Sequence, residues 1–191
     1  MEEHAIGPSS EKVCFVISPI GSPNSEVRER SDQLFRYIIK PAAEKHGLLP
    51  IRVDQEQRPG LITKDIIRHL LDDRIVIADL TDHNANVFYE LAVRHACNKP
   101  TVQMILAGQN IPFDVAGMKT IYYGLDLESA NDAQESLSKQ IFAVLEPGFQ
   151  VESPLGPFMT NINLGQSNHS DLLSLVVVIS QDGIRISPCN R

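Results

Sequence analysis

The chain has 191 residues, 42% hydrophobic and 21% charged, with a formal net charge of −7. That length and apolar content suit one globular domain with some chain to spare. The acidic balance excludes a general nucleic-acid binder, whose affinity rests on Lys and Arg, and three cysteines without paired spacing (Cys14, Cys97, Cys189) exclude a disulfide framework or a zinc site, so no metal is expected.

Residues 1–12 are polar, contain Gly7, Pro8, Ser9 and Ser10, and read as a flexible leader. They lack the basic, apolar and cleavable pattern of a signal peptide. The longest apolar run, Leu175–Ile179 with Leu172 and Leu173 before it, is too short to span a bilayer, so the expectation is a cytoplasmic protein with no membrane partner.

Val13–Ser18 is the first strand, broken by Pro19, Gly21 and Pro23. A strand, a Ser/Gly/Pro loop and a helix can aim backbone N–H groups at a phosphate, although neither standard Gly-rich spacing is present and a plain turn fits equally well. Glu26–His46 has helical period, with Pro41 expected to kink or end it and Gly47 to stop it. Arg30, near its start, either belongs to a solvated face or leans into the crevice to hold a phosphate. Leu48–Val53 is the second strand, Asp54–Gly60 a polar loop and Ile62–Leu71 an amphipathic helix.

The central unit spans Arg74 to Leu106. The apolar run Ile75–Ala78 ends in Asp79, the polar loop Thr81–Ala85 follows, then a helical pattern Asn86–Cys97 and a fourth strand Thr101–Leu106. Continuous apolar runs mark strands buried on both faces of a parallel sheet. On a helical wheel Val87, Phe88, Leu91, Ala92 and His95 face the sheet, which leaves Glu90 off the packing face and about one turn from the helix start. Glu90 can therefore reach the crevice at the strand ends. Equally, it can sit there because the helix dipole favours an acid and pair with Arg94 on the surface. Asp79 either fixes a ligand hydroxyl or caps the loop, and Asn84 and Asn86 either orient a ligand or cap the helix.

Ile111–Met118 reads as a loop, Thr120–Tyr123 as a short fifth strand and Ser129–Leu145 as a helix with Ala133, Leu137, Ile141 and Val144 on its buried stripe. Five strands alternating with helices over residues 13–146 predict a doubly wound, flavodoxin-like α/β sheet of order 2-1-3-4-5. That order makes the first and third strands neighbours, so Ser18–Gly21 faces Asp79–Glu90. Residues 147–191 form an extension: a linker arm rich in Pro, Gly, Asn and Ser, then a β-hairpin signal around Gln181-Asp182-Gly183. A lone hairpin is marginal in water, so it is expected to join the sheet edge or a neighbouring subunit.

Asn-Ala-Asn-Val-Phe-Tyr-Glu-Leu-Ala-Val-Arg-His-Ala at residues 84–96, followed by Asn-Lys-Pro-Thr-Val, resembles the superfamily of nucleoside 2-deoxyribosyltransferases and bacterial TIR-like domains. Cys14–Gly21, Gly60–Thr63 and Pro112–Ile121 fit the same group. The resemblance implies that Glu90 is the catalytic glutamate. The candidate substrate-binding residues along the crevice are Ser18, Pro19, Ile20, Gly21, Arg30, Asp79, Thr81, Asn84, Asn86 and Tyr89. Many deoxyribosyltransferases carry an aspartate six residues before that glutamate, where this chain has Asn84. A carboxylate beside an anomeric carbon can stabilise an oxocarbenium-like transition state or attack it. A neutral nucleoside also asks for a proton donor, whereas the nicotinamide of NAD already carries positive charge. The leading expectation is an NAD nucleosidase of the kind found in antiphage defence, with NAD as substrate and no cofactor. Deoxyribosyltransferase-type base exchange, nucleoside hydrolysis and a non-catalytic nucleotide-binding scaffold are the alternatives. The resemblance further implies a homo-oligomer.

Overall fold

The computed structural model describes residues 12–55, 62–155, 178–180 and 183–185. Residues 1–11, the loop containing Arg58, Pro59 and Gly60, most of the extension and Cys189 lie outside the described residues.

Strands β1 (Val13–Ile17), β2 (Leu49–Arg52), β3 (Ile75–Asp79), β4 (Thr101–Leu106) and β5 (Thr120–Tyr123) form one parallel sheet. Their order is β2-β1-β3-β4-β5, as the alternation of elements predicts. All five residues of β1 and all five of β3 are buried. Side chains alternate across a strand, so each strand feeds two cores. Cys14, Val16, Ile75 and Ile77 meet one side, with Leu34, Ile38, Leu137 and Ile141. Phe15, Ile17, Val76 and Ala78 meet the other, with Leu70, Val87 and Leu91.

The first helical stretch does not stop at Pro41. Helix α1 (Glu26–Leu34) passes through a π-helical turn (Phe35–Ile39) into α2 (Lys40–Glu44). Pro41 has no N–H to donate and its ring crowds the carbonyl four residues back. Widening the helix just before it relieves both problems: the Lys40 N–H bonds the Phe35 carbonyl, five residues back. The turn at Gly47 follows, with φ +70°.

Helices α3 (Ile62–Asp72), α4 (Ala85–Ala96) and α5 (Leu127–Leu145) complete the layers. The four stripe residues expected on α5 are all buried. Among the described residues no helix is long and apolar enough to cross a membrane. The hairpin is present as β6 (Val178–Ser180) and β7 (Gly183–Arg185), which pair with each other as a separate two-stranded sheet. Beyond α5, Ser153 donates from Oγ to the His95 carbonyl (2.9 Å), so the chain crosses back to α4 before leaving the described residues.

One sequence expectation is overturned here. Arg94 is not a surface partner of Glu90; it is fully buried. Its guanidinium donates to the carbonyls of Leu70 (2.7 Å), Asp73 (2.8 Å) and Pro100 (3.2 Å). These close the end of α3 and the entries to β3 and β4. A long, five-donor side chain can tie three chain ends at once, and its alkyl stem packs as apolar surface. Burial lowers its pKa to about 10, which still leaves it charged. Truncation strands buried carbonyls, each costing about 1–3 kcal/mol. Arg94→Met is therefore expected to lower the unfolding free energy by about 2–4 kcal/mol in urea titrations, more than Glu90→Gln at any pH.

Candidate active site

The site begins with strand adjacency. Ile17 of β1 pairs in register with Ala78 of β3, so the residues that follow, Ser18 and Asp79, emerge side by side. This is the topological switch point of an open α/β sheet, where ligands bind beyond the carboxyl ends of the strands.

On the β1 side, Gly21 has φ +65°, and a Cβ built there falls 2.6 Å from Ser25 Oγ and 2.9 Å from Val27 Cβ. The tight turn needs glycine on both counts. Ser25 caps α1, accepting from the Arg28 N–H. The hydroxyl of Ser18 is already engaged with Ser31 (3.0 Å). Ser31 accepts from Arg52 (2.8 Å), which is buried and also bonds Asp32 and Asp54. Desolvation opposes the charge on Arg52, but these two carboxylates raise its pKa. The β1 loop therefore rests on a satisfied ionic network.

On the β3 side, Asp79, Thr81 and Asn84 all have partners within the protein. Asp79 is fully buried and accepts from the Thr81 N–H (3.1 Å), the Thr81 hydroxyl and the Tyr123 hydroxyl (3.3 Å). Burial raises its pKa, although hydrogen bonds from Thr81 oppose the shift. The Thr81 hydroxyl also accepts from the Leu106 N–H (3.0 Å). One acid thus locks the ends of β3, β4 and β5 together. Asn84 is the N-cap of α4, accepting from the N–H groups of Asn86 and Val87. Asn86 and Tyr89 are exposed, Tyr89 at 65%.

Between these anchors, Asp82 and His83 adopt left-handed backbone, φ 60° and 50°. Such conformations are uncommon for non-glycine residues and collect at functional loops. The loop is held by side chains that sequence reading missed. Gln109 accepts from the Asp82 N–H and donates to its carboxylate (both 2.8 Å), and His83 Nε2 lies 2.8 Å from the Asn110 carbonyl. Arg30 crosses from α1 to bond Asp82. Burial pushes the Asp82 carboxyl up, but Gln109 and Arg30 outweigh it and hold its pKa below the usual range. Arg30 Nε is sealed from solvent with no acceptor among the described residues, a condition that costs about 1–3 kcal/mol for a buried donor.

Glu90 lies on the same flank of α4 as Arg94, one turn on, and Arg94 reaches the end of α3. Glu90 therefore lies along the α3-facing side of α4. It is half-buried and has neither a hydrogen bond nor an ion pair among the described residues. Desolvation alone raises its pKa to about 7. An unpaired carboxylate poised near neutrality is a functional signal, because structural acids are ordinarily paired. A cavity of about 930 Å³ lies elsewhere, around the amino ends of β4 and β5 and the face of α5, and none of the sequence-predicted site residues lines it.

No protein-family model matches the chain, and neither does any curated protein. Solved structures do match. A 2-deoxyribosyltransferase from the psychrotolerant bacterium Bacillus psychrosaccharolyticus aligns with TM-score 0.50 and 15% identity, over 65% of this chain and 95% of that one. A 2-desoxiribosyltransferase from Leishmania mexicana aligns with TM-score 0.41 and 14% identity, over 78% and 86% of the two chains. The chain shares with the bacterial enzyme its fold, the five-stranded parallel sheet flanked by helices.

The Glu90 shift has a thermodynamic consequence. The folded state favours the protonated acid, so the stability Glu90 contributes is full below its unfolded pKa of about 4.5 and is lost as pH rises through 7. Glu90→Gln should match the wild type in melting temperature near pH 4.5. By pH 8 it should be the more stable protein, by on the order of 1–3 kcal/mol. Thermal denaturation across that range checks the sign.

Proposed function

We propose that this protein is an enzyme acting on the N-glycosidic bond of a nucleoside-type substrate, with Glu90 working at the anomeric carbon. The observation that carries the reading is Glu90 itself: an acid in the second turn of α4, which follows the carboxyl end of β3, desolvated to a pKa of about 7 and without a partner among the described residues. In the carboxylate form it can attack C1′ while the C1′–N bonding pair leaves with the base. The resulting ester is opened by a second base in transfer or by water in hydrolysis. Without attack, the same charge stabilises the developing oxocarbenium ion.

Fold likeness to a 2-deoxyribosyltransferase supports base exchange as the leading form of this chemistry. Asn84, where many deoxyribosyltransferases carry an aspartate, is compatible with it. That position is the helix N-cap, where Asn and Asp serve about equally well. Cleavage of NAD, the TIR-like reading, is the second form, and one observation favours it. Neither neighbouring acid is placed as a proton donor: Asp79 is sealed beneath the loop and Asp82 is held ionised. A nicotinamide leaving group needs no proton, whereas a neutral purine or pyrimidine takes one from solvent.

Base release from 2′-deoxynucleosides, ribonucleosides, their 5′-monophosphates and NAD, followed by liquid chromatography, tests the proposal. Turnover is expected for at least one class, with kcat/KM rising as pH approaches 7 and Glu90 ionises. Glu90→Gln should lower the rate by about 100-fold or more while remaining folded. Full activity in a folded Gln variant overturns the assignment.

A further inference from the structure

Among the described residues, three arginines stand near the carboxyl ends of β1, β2 and β3, and their bonding differs. Arg52 gives its donors to Asp32, Asp54 and Ser31. Arg28 gives its donors to Asp32 and Asp54. Arg30 makes a single hydrogen bond among the described residues, from Nη2 to Asp82. Its Nε is buried without an acceptor, and the side chain as a whole is only 15% exposed. Asp82, by contrast, is 43% exposed at the side chain and keeps two hydrogen bonds to Gln109 without Arg30. The guanidinium is fixed and under-used, while its partner is peripheral and held by other contacts.

From this we infer that Arg30 is the receptor for a phosphoryl group on the substrate, and that Asp82 occupies its place until a nucleotide binds. The inference deepens the proposed N-glycosidic activity and rests on it: the substrate is a phosphorylated nucleoside rather than a free one. A phosphoryl group presents oxygens that can span Nε and Nη2 side-on, which meets the orphaned donor as well as the bonded one. The position is suitable, because Arg30 bridges the β1 and β3 sides of the crevice. It is also specific. A chain of net charge −7 repels anions in general, so a phosphate preference has to come from a focused cation.

Binding without turnover separates this inference from the catalytic one. The Kd values of 2′-deoxyadenosine, 2′-deoxyadenosine 5′-monophosphate, AMP and NAD are measured by calorimetry on the full chain, in wild-type, Arg30→Gln and Asp82→Asn proteins. The monophosphates should bind the wild type about 10- to 100-fold more tightly than the nucleoside, and Arg30→Gln should erase that gap. Asp82→Asn removes the competing charge and should tighten monophosphate binding several-fold, an effect a merely structural Arg30–Asp82 bridge would not give. A tighter grip on NAD than on monophosphates assigns the phosphoryl group to a dinucleotide. Equal wild-type affinity for nucleoside and nucleotides, a gap that survives in folded Arg30→Gln, or weaker binding in Asp82→Asn overturns the inference. Phosphate-dependent binding with no base release leaves it standing and instead refutes the glycosidic reading.

Discussion

Everything in this molecule depends on the pairing of β3 between β1 and β4. A strand with apolar side chains on both faces is stable only where helices cover both sides and hydrogen-bonded neighbours cover both edges. Ile75, Val76, Ile77 and Ala78 meet that condition, each fully buried. Their placement forces Asp79 to emerge beside Ser18, and a polar crevice follows wherever the chain must turn from these strands into helices. The site is thus a by-product of sheet topology before it is anything chemical.

Two kinds of acid occupy the region, and their environments divide their roles. Asp79 is buried but surrounded by donors, so it organises strand ends. Glu90 is less buried and has no donor among the described residues. The same contrast separates the arginines. Arg52 and Arg94 are buried and saturated, by carboxylates in one case and by carbonyls in the other. Arg30 retains capacity. Full hydrogen bonding marks the scaffold, and unmet hydrogen bonding marks the working surface.

The fold was legible in the sequence because its signals are local. Largely apolar runs of four to six residues, helical periods between them and Gly47 at a stop define the sheet order almost without tertiary information. The wheel set Glu90 off the packing face, and the structure leaves it half-buried. Arg94 was misread, since a charged residue four positions from an acid resembles a surface pair, and only the nearby ends of α3, β3 and β4 explain why it is buried. The shared partner of Asp79 and Thr81 was hidden because the loop was visible but Tyr123, 44 residues on from Asp79, was not. The alternation of Ile121 and Tyr123 on one face of β5 was the available clue. Nothing local to Asp82 pointed to Gln109 or Arg30, whose contacts with it span 27 and 52 residues.

Glu90 is a desolvated carboxylate with no partner among the described residues. Direct titration of its side-chain carboxyl by carbon-13 NMR, assigned with Glu90→Gln, tests this. A midpoint near pH 7 is the expected result. A midpoint near 4.5 would contradict it, because the carboxylate would then be solvated or paired like any surface glutamate.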